Sequence, residues 1–150
     1  YAIKNNIQVY KDKCFVDLFA GSGSLGLEAI SRGISFSYFY EINNEVCNIL
    51  EENCKRICDI KKYSIINKSA FTINEINFKF PISVIFIDPP YKLNNLNELL
   101  NLLLKNKNID NNCLIVIETQ KDTYLENIKK FYFLKEKFYG KTKITFLKKL

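Results

Sequence analysis

The chain has 150 residues, 47% of them hydrophobic and 25% charged, with a formal net charge of +6 and neither histidine nor methionine. That length suits one domain, residues 1–150, with a real core, and is too short for two comfortable ones. No apolar run approaches the ~18 residues of a membrane-spanning helix and no secretory signal is present, so a soluble globular protein is expected, while the missing initiator methionine before Tyr1 points to a fragment or a processed form.

Short β-rich runs alternate with stretches of helical period along the chain. A first strand is expected at 13–19. It runs into Asp17-Leu18-Phe19-Ala20-Gly21-Ser22-Gly23-Ser24-Leu25-Gly26 and a helix at 24–32. In this loop Gly21 and Gly23 let the backbone turn tightly and approach a ligand, and Gly26 lets the helix lie close to the sheet. Glu28 and Arg32 on that helix either pair across one turn or support a cleft. The second strand, 36–41, ends on Glu41, 20 residues past Gly21, where a carboxylate can accept hydrogen bonds from ribose hydroxyls. A helix at 44–58 carries Cys47, Cys54 and Cys58, which fall within about 40° on a helical wheel. With no histidine and Cys113 in another segment, they read as a core face of small hydrophobes, and no metal site is expected. Five cysteines, an odd number, indicate reduced thiols.

Further on, strands are expected at 63–67, 83–87 and 112–118, with helices at 69–76, 95–105 and 122–130. Two last runs, Tyr132 to Phe138 and Lys143 to Lys148, are joined by Tyr139-Gly140-Lys141-Thr142 as an antiparallel hairpin closing the sheet edge. The alternation implies right-handed crossovers and a mostly parallel sheet covered on both faces, hence an α/β fold. Nine of the 22 basic side chains but only three of the 16 acidic ones lie in residues 121–150, so the whole positive excess is terminal. Interleaved with Tyr132, Phe138 and Tyr139, this patch suits a polyanion, although lysines also protect exposed sheet edges.

The run Ser83-Val84-Ile85-Phe86-Ile87 stops at Asp88-Pro89-Pro90-Tyr91. A rigid, donor-poor turn with one carboxylate and one ring suits a flat, amino-bearing base: the ring stacks, and the carboxylate and carbonyls accept from an exocyclic amine. The bland alternative is an ordinary proline turn. Ligands of parallel sheets bind beyond the carboxyl ends of strands, and Asp17, Glu41 and Asp88 all lie at such ends; Glu118, at the fifth, is either structural or part of the site. A dinucleotide would fit the glycine loop as well, making an NAD-dependent oxidoreductase the rival. Asp17 separates the two: it would repel a pyrophosphate but attract the sulfonium and amino group of S-adenosylmethionine.

Together, the block from Asp17 to Gly33, Glu41, and Phe86-Ile87-Asp88-Pro89-Pro90-Tyr91 resemble the bacterial small-subunit ribosomal RNA guanine-N2 methyltransferases of the RsmD family, and Lys135 to Gly140 is similar to the family's final hairpin. The resemblance implies a Rossmann-like class I methyltransferase whose seven-stranded, mostly parallel sheet is flanked by helices. It also implies transfer of a methyl group from S-adenosylmethionine to the N2 amine of a guanine in 16S ribosomal RNA or the small subunit, by a monomer in the cytoplasm of a bacterium or in an organelle of bacterial origin. Carried over, Asp17, Phe19, Ala20, Gly21, Ser22, Gly23, Glu41, Ile42, Ser69, Ala70 and Asp88 would bind the cofactor. Asp88, Pro89, Pro90 and Tyr91 would hold the guanine and orient its amine. Near the third strand end, where the family often has an acid or asparagine, this chain has Lys68-Ser69-Ala70. The family's N-terminal Arg-Pro-Thr element, which helps to engage RNA, does not occur in the sequence. Alternatives from the same residues are an adenine-N6 DNA methyltransferase, which also uses an Asp-Pro-Pro-Tyr turn, and an inactive cofactor-binding module.

Overall fold

The computed structural model describes residues 10–149; the remnant helix expected near Tyr1 to Ile7 lies outside them. In chain order the elements are β1 (Cys14–Asp17), α1 (Ser24–Ser31), β2 (Phe36–Tyr40), α2 (Asn44–Ile57), β3 (Tyr63–Ile66), β4 (Ile82–Ile87), α3 (Leu96–Lys105), β5 (Ile109–Gln120), β6 (Phe131–Tyr139) and β7 (Thr142–Lys149). They form one seven-stranded sheet of order β3-β2-β1-β4-β5-β7-β6. The first five strands are parallel, and β7 inserts antiparallel between β5 and the edge strand β6.

β1 and β2 are buried at every position, as expected of central parallel strands whose two faces are both covered. On one face Val16, Tyr38, Tyr40, Ile85, Ile87, Ile115 and Ile117 pack under α3 through Leu96, Leu99, Leu100 and Leu103. The opposite face carries Phe15, Val84, Phe86 and Val116 beneath Ala29 of α1, with Phe39 against Leu27 and Leu50 of α1 and α2. Only Leu50 and Cys54 of α2 are buried, and Ile57 is exposed, so the cysteine face is narrower than its spacing suggests. Cys47 sits at the rim, its thiol donating to the Glu41 carbonyl at 3.2 Å.

Two expected helices are not α-helices. Residues 69–76 form a 3-10 turn, Ala70–Glu75, because the Ser69 hydroxyl accepts the Phe71 amide at 3.2 Å and Thr72 hydrogen-bonds back to the Ser69 carbonyl through both its amide and its hydroxyl. Residues 122–130 yield only a 3-10 turn at Glu126–Lys130. β5 is longer than its apolar centre, spanning 12 residues, since its ends are held by pairing to β4 and β7 rather than by hydrophobicity.

Gly26 sets how closely α1 approaches the sheet: a Cβ there would lie 2.2 Å from the ring of Phe39, which is itself fully buried. Alanine normally favours a helix interior over glycine by ~1 kcal/mol. Here overpacking reverses the sign, and Gly26→Ala should lower stability by about 1–3 kcal/mol in urea denaturation, with Phe39→Leu in the same chain recovering part of the loss.

Candidate functional site

Parallel pairing ties the strand ends into one rim. The amides of Leu18, Ala20 and Glu41 donate to the carbonyls of Phe86, Tyr40 and Ile66 at 3.1, 2.9 and 3.1 Å, so the loops after β1 and β2 leave the sheet locked to their neighbours. Glu41 then clasps both loops. Its Oε1 accepts the Gly21 amide at 3.0 Å and its Oε2 the Asn43 amide at 2.9 Å. Gly21 (φ 55°) and Gly23 (φ 84°) both take the left-handed conformation that admits glycine readily. A Cβ on Gly21 would meet nothing within 4 Å, so this backbone borders open space; one on Gly23 would strike Leu50 at 2.3 Å. Ser22 turns elsewhere. Its hydroxyl lies 2.9 Å from that of Ser24, its carbonyl accepts from Asn53 at 2.9 Å, and its side chain lines a groove between α1 and α2.

Four carboxylates occupy adjacent positions along the rim: Glu41 just past β2, Asp17 ending β1, Asp88 just past β4 and Glu118 on β5. The β4–β5 register pairs Phe86 with Val116 and Ile87 with Ile117, so one further step sets Asp88 beside Glu118 on the same face. Asp17 is only 2% exposed. Burial pushes its carboxyl up to about 7; the Phe19 amide opposes this, while Asp88 and Glu41 add to it. Burial also raises Asp88, and burial followed by the charge of Asp88 raises Glu118. None of the ion pairs among the described residues involves any of these four acids. The rim is therefore prepared for a cation or for N–H donors.

Two cavities open on it. One of about 170 Å³ is lined by Phe19, Tyr40, Glu41, Ile42, Ser69, Ala70 and Phe71. The Tyr40 hydroxyl is buried there without a hydrogen-bond partner. Asn67 steadies its rim, donating to the carbonyls of Glu41 at 2.8 Å and Ile42 at 3.2 Å. The other, a cleft of about 460 Å³, lies between the Asp88 to Tyr91 turn and Glu118, Thr119, Gln120, Thr123, Tyr124, Lys141 and Thr142. Pro90 and Leu93 line both cavities, and the Pro90 carbonyl accepts the Leu93 amide at 3.0 Å, so this short turn is the wall between them. Of the residues singled out in the sequence, Phe19, Glu41, Ile42, Ser69 and Ala70 meet in the smaller cavity, and Asp88, Pro89, Pro90 and Tyr91 meet in the larger.

Tyr91 and Tyr124 border the cleft at 80% and 75% exposure. Tyr124 escaped sequence reasoning. Its sole signal was a lone ring in the polar stretch Lys121-Asp122-Thr123-Tyr124 directly beyond a strand's carboxyl end. Asn67, directly before Lys68-Ser69-Ala70, carries no signal of its own in the sequence.

Over residues 2–148 the sequence matches the family described as conserved hypothetical protein 95, the RsmD family. The chain belongs to the RsmD family. Among its relatives, the Haemophilus influenzae ribosomal RNA small subunit methyltransferase D is 35% identical over 134 residues, 88% of this chain and 69% of that protein. The protein of the same name from Buchnera aphidicola of Acyrthosiphon pisum is 38% identical over 111 residues, 74% of this chain but 58% of that protein. This RsmD-family chain thus spans little more than half to two thirds of these relatives. A solved structure of a candidate methylase from Haemophilus influenzae superposes with a TM-score of 0.83 at 32% identity, covering 97% of this chain and 91% of that one. The fold is accordingly the Rossmann-like class I methyltransferase fold, with its seven-stranded sheet and terminal antiparallel hairpin.

The buried acid makes stability depend on pH. Asp17 holds its proton up to about pH 7 when folded but releases it near 3.8 when unfolded. Between those values the folded state binds more protons, so stability is full below the unfolded value, falls as pH rises toward 7 and stays low above it. Asp88 and Glu118, raised in the same sense, steepen the slope. Asp17→Asn should flatten most of this decline and raise the ligand-free urea midpoint at pH 8, measured against wild type from pH 4 to 8; an unchanged slope would locate the titration elsewhere.

Proposed function

We propose that this RsmD-family chain transfers a methyl group from S-adenosylmethionine to the exocyclic N2 amine of a guanine in small-subunit ribosomal RNA. The observation that carries the reading is the pair of carboxylates facing one cleft, Asp88 and Glu118, beside two exposed tyrosines. On its Watson–Crick edge guanine sets the N1–H donor beside its N2 amine, whereas adenine sets the N1 acceptor beside its N6 amine. Two acceptors side by side therefore suit guanine and leave adenine with a repulsive contact. The names of the curated relatives, ribosomal RNA small subunit methyltransferase D, support the same substrate class.

The residues of the rim suit the cofactor. Gly21 borders open space, Glu41 retains lone pairs beyond its two amide contacts, and Asp17 is a buried acid in want of a cation. In this reading Asp17 and the backbone of residues 19–23 hold the cationic methionine end, Glu41 the ribose, and Phe19, Ile42, Ser69 and Ala70 the adenine in the smaller cavity. When bound, S-adenosylmethionine supplies an electrophilic methyl group carried on sulfur. Asp88 and the Pro89 carbonyl accept the amine protons, which turns the nitrogen lone pair away from them and toward the gap past the end of the wall, where the two cavities meet. Tyr91 and Tyr124 stack on the base, each contact worth roughly 1–3 kcal/mol, which offsets the cost of drawing the base out of its own stack. The amine proton lost on methylation passes to Asp88, made more basic by its burial, and on to water through the open cleft. No covalent nucleophile is needed; positioning and charge account for the rate.

The test is transfer of labelled methyl groups to small ribosomal subunits and to 16S RNA, followed by nucleoside analysis. Wild type should yield N2-methylguanosine. Asp88→Ala should cut turnover about 10²–10⁴-fold while S-adenosylhomocysteine binds as before by calorimetry. Glu118→Gln, which keeps the shape but halves the acceptor capacity, should lower kcat/KM on RNA by about 10 to 100-fold. Label in N6-methyladenosine of duplex DNA instead would overturn the assignment.

A further inference from the structure

We propose that the edge strand β6 and its turn into β7 form a track for the ribosomal RNA strand flanking the base in the cleft; the inference rests on the RNA reading above and adds to it a second surface. All β6 residues after Phe131 are exposed. The register with β7 is interrupted between Phe133 and Lys135, so Leu134 is an extra residue and the alternation resets. In consequence Tyr132 (opposite Lys148), Lys135 (opposite Phe146), Lys137 (opposite Ile144) and Tyr139 (opposite Thr142) share one face. The Lys135 ammonium 4.9 Å from the centre of the Phe146 ring places this face on the α1 side of the sheet. Without the bulge Tyr132 would point away from the lysines. The one acid of the strand, Glu136, lies on the opposite face with Phe138.

Two cations flanked by two rings is a pattern for a single nucleic-acid strand: lysines neutralise phosphates and the rings accept unpaired bases. The track is also continuous with the cleft. Lys141 in the hairpin turn and Thr142, the first residue of β7, line that cleft. The Lys141 carbonyl accepts the Lys121 amide at 2.8 Å, and the Lys143 ammonium donates to the Thr123 carbonyl at 2.7 Å, so the hairpin is fastened to the loop that carries Tyr124. RNA whose base enters between Tyr91 and Tyr124 can leave its neighbouring phosphates along β6. The competing explanation, lysines that merely keep an open edge from pairing, predicts no effect on RNA.

The double variant Lys135→Gln/Lys137→Gln separates the two. Binding of labelled 16S RNA to the full chain is measured by filter retention from 50 to 200 mM KCl, alongside S-adenosylhomocysteine affinity, thermal unfolding and sedimentation. The track requires the slope of log affinity against log salt to become shallower by about 1.4, some 0.7 for each lost phosphate contact, with about tenfold weaker binding at the low-salt end. Cofactor affinity and unfolding should be unchanged. Tyr132→Ala/Tyr139→Ala should weaken binding while leaving the salt slope intact. If wild type methylates 16S RNA and the lysine variant keeps both slope and affinity, the track is wrong and the function stands; if wild type neither binds nor methylates RNA, both fall. A concentration-dependent wild-type dimer that the lysine variant lacks would assign β6 to a second copy of the chain instead.

Discussion

Everything at the rim follows from the register of four parallel strands. Because β2, β1, β4 and β5 run side by side in one direction, their carboxyl ends reach solvent together. Each carries its acid there: Glu41, Asp17, Asp88 and Glu118. The sequence separations are large, but the pairing brings Asp88 level with Glu118, about one strand spacing or ~4.8 Å between backbones, and sets Asp17, which pairs with Phe39 and Phe86, two residues deeper than Glu41 and Asp88 on either side. The two outer acids keep contact with water or backbone amides. Asp17 has neither freedom, being held between Glu41 and Asp88 with one amide for compensation.

That arrangement is costly without a ligand. A carboxyl held up to about 7 is part neutral at physiological pH, and its ionised fraction lacks a cation among the described residues. Folding alone would favour a leucine or an asparagine at position 17. Retaining an aspartate there is the kind of local conflict expected where structure serves a site, and the core of large aliphatic and aromatic side chains beneath α3 is what offsets it. Glu41 is the contrasting case. Each of its oxygens already accepts one amide, from Gly21 or Asn43, so it shapes the glycine loop whether or not anything is bound.

Much of this was legible in the chain because the informative residues are local. Buried strands such as Phe36-Ser37-Tyr38-Phe39-Tyr40 announce themselves by a dense aromatic run broken only by Ser37, and the loop after β1 and the turn after β4 are contiguous motifs. The limits were of two kinds. Residues 69–76 have helix-compatible apolar spacing, yet Ser69 and Thr72 supply competing bonds to the backbone that stop an α-helix before it starts. Tyr124 carries no local pattern, and Glu118 is open in the sequence between a structural role and the site. Their meaning comes from lying across a cleft from Asp88 and Tyr91, some thirty residues away, and only the β4–β5 pairing brings them there. The bulge at Leu134, which aligns the hairpin's lysines with its tyrosines, is equally invisible to a period-two reading of the strand.

The wall between the cavities has a further consequence for how the proposed reaction is confined. Pro90 and Leu93 face both sides, and the 3.0 Å bond from Leu93 to the Pro90 carbonyl closes the turn on itself. Proline has no amide hydrogen and a fixed φ, so two in succession leave a partition that is rigid and offers acceptors without competing donors. A donor and an acceptor of a methyl group bound on its two sides would be kept apart along the turn and meet only past its end, at Asp88. Asp88 thus contributes through its position as much as through its charge: it is the last residue common to the sheet's rim and the turn, and the one acid that perturbs both Asp17 on one side and Glu118 on the other.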